Sequence, residues 1–265
     1  MGDKIMTLKN EENRIKKVVQ TSLMIAFAMV VRSFSYMVYL GGAPGMRISF
    51  SGVFTKIAAI LFGPLYGGIA SGLVDVIGFI IKPEGAYIPW LTVTSIFGGI
   101  ITGFLWIVLK NVNTKTLQRT FILFFTTIGI LGIANYIHVS LIPDSKWAQI
   151  INSIGKYRDF TSIGLMVASL IGLIFLLIDQ IVKKVHNNSE MYNDFLKILV
   201  STSVSGITVT TLNTYILRIF IPSLGKMGFL ILWIPRAIEE ILMVIIQAYV
   251  ISILLFVFRK HIQKC

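Results

Sequence analysis

Four stretches of this chain, residues 85–109, 120–143, 160–178 and 198–217, contain no charged side chain. Each is close to or above the roughly 20 apolar residues that a helix needs to cross a bilayer. Reading the other apolar runs the same way gives candidate spans at about 18–40, 48–62, 64–82, 88–109, 120–142, 160–182, 196–220 and 229–258. The expected fold class is an all-α integral membrane protein with about eight spans. The pair 48–62 and 64–82 is interrupted by Gly63-Pro64 and reads as two short helices joined by a tight turn, because proline removes a donor and biases its predecessor away from helix. The last segment is long enough to begin with a bent or re-entrant piece before Pro235.

Composition agrees. Of 265 residues, 55% are hydrophobic and 14% charged, where soluble proteins average about 25% charged. This disfavours a soluble enzyme, a disordered chain or a nucleic-acid-binding module. The net charge is 24 − 12 = +12. With an even number of spans both termini share a side, and that side collects 14 basic residues against 6 on the other, with four inside spans. The bias places both termini in the cytoplasm of a multi-pass cell-membrane protein. Residues 1–17 mix acidic and basic groups and do not read as a secretory signal. The single cysteine, Cys265, excludes an intramolecular disulfide and stands in the wrong place for a prenylation box.

Ionisable groups within apolar helices are costly and point to function. Here they are Arg32, Lys56, Asp75, Arg218, Arg236, Glu239 and Glu240. The topology puts Arg47 and Arg218 near external helix ends, and Arg236 enters from the same side. Three guanidiniums thus converge on an outward cavity, and their forks suit carboxylates. Tyr36, Tyr39, Tyr87, Trp90, Tyr215 and Trp233 lie nearby in this topology. The combination suits an anionic, partly aromatic small molecule. Structural roles compete: Arg218 as a snorkelling side chain, Trp90 and Trp233 as interfacial belt residues, Arg236 with Glu240 as an i,i+4 ion pair. Asp75 is placed to hydrogen-bond a neighbouring helix, or to be neutralised by Lys56.

Small residues recur at Gly63, Gly67, Gly68, Gly72 and Gly78, at Gly99 and Gly103, and at Ser22, Ala26 and Ala28 on the first helix. Spacing of four lets helix backbones approach closely. The first-helix stripe suits either internal packing or the docking of another membrane subunit. Motifs for chemistry are missing. His138, His186 and His261 have no metal-ligand spacing, and neither a phosphate-binding loop nor a Gly-x-Ser-x-Gly elbow occurs. The chain reads as a non-enzyme with no cofactor and no metal.

Four stretches together resemble the folate-type substrate-binding S component of an energy-coupling factor (ECF) transporter. They are Arg47-Ile48-Ser49-Phe50; Gly63-Pro64-x2-Gly67-x4-Gly72-x2-Asp75-x2-Gly78; Asn213-Thr214-Tyr215; and Pro235-Arg236 continuing to Met243 and Gln247. The resemblance implies a six-helix vitamin-binding bundle that captures its ligand externally and joins a membrane scaffold subunit and two ATPases. It divides the chain into a cytoplasmic segment 1–17, helices one to four at 18–112, an inserted helical hairpin with an external loop at 113–192, and the final two helices and tail at 193–265. In the loop, Trp147, Ile150, Ile151 and Ile154 fall at helical spacing and read as a short interfacial helix or lid.

Carried onto this sequence, the resemblance makes Arg47, Asn213, Tyr215 and Arg236 binding candidates, with Tyr87 and Trp90 added by position. It makes Ser22, Ala26 and Ala28 the candidates for scaffold docking. Glu239 departs from the pattern, standing where a basic residue is expected. A carboxylate there repels a glutamate tail and accepts hydrogen bonds from a ligand amino group. Phe54 and Lys56 also replace residues expected to be apolar or proline. The implied ligand is folate or a related pterin or heterocycle. An ion-coupled secondary transporter predicts internal repeats, and a membrane enzyme acting on a lipid predicts clustered His, Asp or Glu at the cytoplasmic interface. The sequence displays neither pattern.

Overall fold

A computed structural model of the chain describes residues 2–40, 43–83, 85–154, 158–185 and 190–262. Lys156, His186 and Cys265 lie outside them. The elements run α1 (Gly2–Ser33), β1 (Tyr36–Leu40), β2 (Ala43–Ile48), α2 (Gly52–Phe62), α3 (Pro64–Ile81), α4 (Pro89–Leu109), α5 (Thr114–Leu141), α6 (Lys146–Ser153), α7 (Arg158–Val185), α8 (Glu190–Phe220), α9 (Pro222–Gly225) and α10 (Phe229–Ile262).

Among the described residues six helices carry a stretch long and apolar enough to cross a membrane. They are Pro64–Ile81, Pro89–Leu109, Thr114–Leu141, Arg158–Ile178, Asp194–Phe220 and Phe229–Phe258. That is two fewer than the eight spans expected from sequence. The apolar part of α1 is bracketed by Lys16, Lys17 and Arg32, and α2 has only 11 residues.

The first expected span also changes character at its end. The helix stops at Ser33, and residues 36–48 form an antiparallel hairpin with Tyr36 opposite Ile48 and Met37 opposite Arg47. The architecture is still the expected all-α one, and among the described residues this two-stranded hairpin is its one departure from helix. Tyr36-Met-Val-Tyr-Leu is rich in aromatic and β-branched residues, which fit a half-buried strand. Mean apolarity cannot separate such a run from the end of a helix.

The break at Gly63-Pro64 is as the sequence implies. Gly63 adopts φ +98°, open only to residues without a Cβ, and Pro64 begins α3 where no backbone donor is needed. The turn folds α3 back on α2, and small residues let α4 close on both. Gly67 lies against Ala59 and the Gly99 backbone, and Gly103 against Pro64. A Cβ at Gly99 would stand 2.7 Å from Ser71 Oγ and still closer to the Gly67 carbonyl. Gly99→Ala is expected to destabilise the protein by about 1–3 kcal/mol through overpacking. A thermal unfolding midpoint in detergent equal to that of the parent protein would contradict this close approach.

Helix α8 packs between α4 and α10, and the α5/α7 pair joins the rest mainly through α7 on α10. The largest apolar cluster follows from this, joining Val53 and Ile57 of α2 to Phe195 and Leu199 of α8 and Ile245 and Ile251 of α10. A second cluster of Leu40, Ile88, Leu217, Leu224 and Leu232 pins the hairpin to the ends of α4, α8 and α10. Helix α10 runs unbroken from Phe229, with no separate piece before Pro235. Pro235 lies inside α10, and its missing N–H leaves the Ile231 carbonyl without its i→i−4 donor.

The short helix expected in the 143–159 loop is α6. Ser145 caps it, accepting from the Ala148 N–H at 3.0 Å. Ile151 and Ile154 turn inward while Trp147 stays 42% exposed.

Candidate ligand-binding cavity

The hairpin, the α3–α4 loop and the α8–α9 junction meet at one end of the bundle and enclose a cavity of about 580 Å³. This lies within the range of roughly 300–1,000 Å³ typical of small-molecule sites. Its charged lining comes from Arg32 of α1, Arg47 of β2, Asp75 of α3, and Arg236, Glu239 and Glu240 of α10, joined by the polar Ser95 of α4 and Asn213 of α8. Apolar cover comes from Met37, Phe79, Ile88, Leu91 and Phe220.

One wall is a continuous polar network. Arg32 Nη2 lies 3.3 Å from Asp75 Oδ1. The second carboxylate oxygen accepts from Thr92 Oγ1 at 2.7 Å, and that hydroxyl lies 2.8 Å from the phenol of Tyr87. A buried pair of opposite charges is stable only when its remaining lone pairs and protons are also satisfied, and Thr92 supplies that here. The opposite wall is α10. Arg236 is 9% exposed, and one Nη donates to the Gly45 carbonyl of β2 while Nε has no hydrogen-bond partner. Glu240 accepts from Thr210 at 3.3 Å. Arg236 and Glu240 are thus engaged by β2 and α8 respectively, rather than held by the i,i+4 pairing suggested by their spacing. Asn213 accepts from Thr94 at 2.5 Å, linking α8 to α4.

A smaller polar chamber of about 210 Å³ adjoins the cavity and shares Arg32, Asp75, Ser95, Val209 and Glu240 with it. Lys56 lines this chamber. Its ammonium donates to Gln247 Oε1 at 2.7 Å, and Gln247 in turn donates to the Ser49 carbonyl at 3.2 Å. Neutralisation of Asp75 by Lys56, one of the sequence-based options, is replaced by the Arg32 pair. Lys56 and Arg236 are both within electrostatic reach of Glu239 and Glu240.

The sequence profile described as the S component of ECF-type riboflavin transporters matches residues 12–153, more than half of the chain. The chain belongs to this family. The folate transporter FolT of Clostridium novyi (strain NT) is 31% identical over 108 residues, which cover 41% of this chain and 56% of that relative. The two thus correspond over little more than half of the relative's length. No solved structure matches. The profile match begins within α1 and extends to the end of α6, past residue 112.

This S component gathers five of the seven sequence-derived binding candidates in the cavity: Arg47, Tyr87, Asn213, Arg236 and Glu239. Trp90 and Tyr215 are not in its lining. Trp90 is 57% exposed on the outer face of α4. Tyr215 is 52% exposed and stacks on Phe229 with ring centroids 4.4 Å apart, the first layer of a stack continuing to Trp233. Asn213 and Tyr215 are two positions apart, and two positions rotate a helix by about 200°, so both cannot face one cavity. Arg218 does not line the cavity either, so two of the three expected guanidiniums converge there. The place of the third is taken by Arg32, expected from sequence only as a charge inside the first span. Arg32 and Asp75 were visible as buried charges, but their pairing depends on how α1 and α3 pack.

On the first helix the structure separates the three docking candidates. Ser22 and Ala26 are exposed, whereas Ala28 is completely buried.

Proposed function

We propose that this chain is the substrate-binding subunit of a vitamin uptake transporter, taking folate or a related pterin or heterocycle into the cavity at the hairpin end. The carrying observation is Arg236, a buried guanidinium lining that cavity with its Nε unpartnered. Buried donors are nearly always satisfied in folded proteins, and a carboxylate or ring carbonyl of a ligand would satisfy this one. Arg47 supplies a second cation for an acid group, Tyr87 an aromatic face, and Asn213 an amide for paired hydrogen bonds to a heterocycle. Glu239 accepts from a ring amino group.

The loop bias in basic residues supports a cavity open to the outside and both termini in the cytoplasm. Ligand movement then requires the implied scaffold subunit and two ATPases, since the chain has no phosphate-binding loop of its own. Ser22 and Ala26 form the small, exposed stripe for the scaffold, and Ala28 serves internal packing. The segment 113–192, with α5, α6 and α7, is an addition to the six-helix bundle formed by 18–112 and 193–265.

The test is ligand recovery from purified protein by denaturing extraction and mass spectrometry, with folate titrated by tryptophan fluorescence. Folate or another amino-bearing heterocycle in near-stoichiometric amount, with two ATPases co-purifying, is the expected result. Glu239→Gln is expected to weaken binding of that heterocycle by about 1.5–3 kcal/mol, the scale of a hydrogen bond to a charged group. Absence of any ligand together with absence of ATPase partners overturns the proposal.

A further inference from the structure

A second cavity of about 670 Å³ lies between the α5/α7 pair, α6 and α10. Its lining is almost wholly apolar, including Leu131 and Ala134 of α5, Ile151 of α6, Leu165 of α7, and Ala237 and Ile238 of α10. The depth of this space is protein core: Ile151, Thr161, Ala237 and Ile238 are at most 5% exposed. Its open side is not, since Leu131 is 56% and Trp147 42% exposed. Three of its four walls belong to helices long and apolar enough to cross a membrane. Its mouth therefore opens among hydrocarbon tails. An apolar cavity holds no ordered water, because water there lacks partners, and the medium at its mouth is the bilayer itself.

The polar groups near this cavity are already engaged. Trp147 Nε1 donates to Asn135 Oδ1 at 2.7 Å, His138 Nε2 lies 3.0 Å from Ser145 Oγ, and Trp233 Nε1 donates to Thr211 at 3.0 Å. Indoles with one wet end and one apolar end collect at the membrane interface. The first two contacts fasten α6 to α5 across one end of the cavity, and that end is the hairpin end of the bundle, since the same stretch of α10, Trp233 to Ile241, lines both cavities.

We infer that this cavity is a binding site for one acyl tail of a membrane phospholipid, held in the leaflet on the hairpin side. The tail fills the space that the α5/α7 pair leaves against α10. Helix α10 thereby separates two occupants: Arg236, Glu239 and Glu240 face the polar cavity, and Ala237, Ile238 and Ile241 face the tail. The site does not depend on which vitamin, if any, the chain carries.

The test uses the full chain in nanodiscs of phosphatidylglycerol with dibrominated acyl tails. Trp90, Trp106 and Trp147 are replaced by phenylalanine, leaving Trp233, which lines the cavity. Bromine quenches an indole it touches, so strong quenching of Trp233 is expected. Ala134→Phe fills the mouth from an exposed position and is expected to abolish most of that quenching, and Ala134→Leu part of it. Leu170→Phe, on α7 outside the cavity lining and 61% exposed, is expected to leave it unchanged. Melting midpoints matching the parent protein establish that each variant is folded. Absent quenching in the parent, equal quenching in the Ala134 variants, or equal loss in Leu170→Phe overturns the site.

Discussion

Arg236→Ala is expected to weaken ligand binding by about 3 kcal/mol, roughly two orders of magnitude in Kd. The size follows from burial. Removing one member of a hydrogen-bonded, desolvated charge cluster costs more than the lost bond, because the groups left behind stay buried without it. Arg236 is 9% exposed, donates to the Gly45 carbonyl and has Glu239 and Glu240 in electrostatic reach. Without it, two adjacent carboxylates on α10 face an apolar cavity roof with less compensating charge.

Arg236→Lys should recover little of the loss. An ammonium is a point charge, whereas the guanidinium fork engages Gly45 with one nitrogen and keeps others for a ligand. Fluorescence titration of the recovered ligand, run beside a melting midpoint, separates the two roles of this side chain. Unchanged affinity with a lowered midpoint would reduce Arg236 to a strap between α10 and the hairpin and remove the main support for the binding role of the cavity.

What the sequence discloses about this molecule follows from the range of each interaction. The Gly63-Pro64 turn, the short helix α6 and the Gly99 approach are local in cause: a missing Cβ, a missing donor, a serine cap, a stripe at helical spacing. All are readable along the chain. Buried charges are readable too, since apolar surroundings make Arg236 and Glu239 conspicuous. Facing is harder. Asn213 and Tyr215 belong to one sequence motif, yet the rotation of α8 sends the first into the cavity and the second onto Phe229.

The hairpin at 36–48 was hidden because its residues are as apolar as the helix before it. The signal that marks it is Tyr-x-Val-Tyr-Leu followed by Gly-Gly-Ala-Pro-Gly, a strand run ending in turn residues. The least legible feature is the identity of partners. Asp75 lies 43 residues from Arg32, and only the packing of α1 on α3 decides that Arg32 rather than Lys56 reaches it.

That pair carries the second large effect. Asp75→Ala is expected to destabilise the protein by about 3 kcal/mol, since it strands the Arg32 guanidinium in the bundle. The side chains are 10% and 20% exposed, so water can relieve little of the cost. Nor can the guanidinium move aside readily. It lies over Gly78, where even a single Cβ would collide with it. Arg32→Met combined with Asp75→Ala removes both charges, and the double variant should be more stable than Asp75→Ala alone. The coupling energy from the full cycle is expected to be about 2 kcal/mol, within the range for contacting residues.

Chemical unfolding in detergent provides all four corners of the cycle. Additive losses would mean that the two groups act independently and that the 3.3 Å contact carries no stability. The same carboxylate also orients the cavity wall, because Asp75 holds Thr92 and Thr92 holds Tyr87. Asp75→Ala should therefore lower ligand affinity as well as stability. The Thr92→Val variant tests the wall without removing a charge: it frees the Tyr87 phenol but also deprives one Asp75 oxygen of its donor, so it is expected to lower affinity while costing less stability than Asp75→Ala.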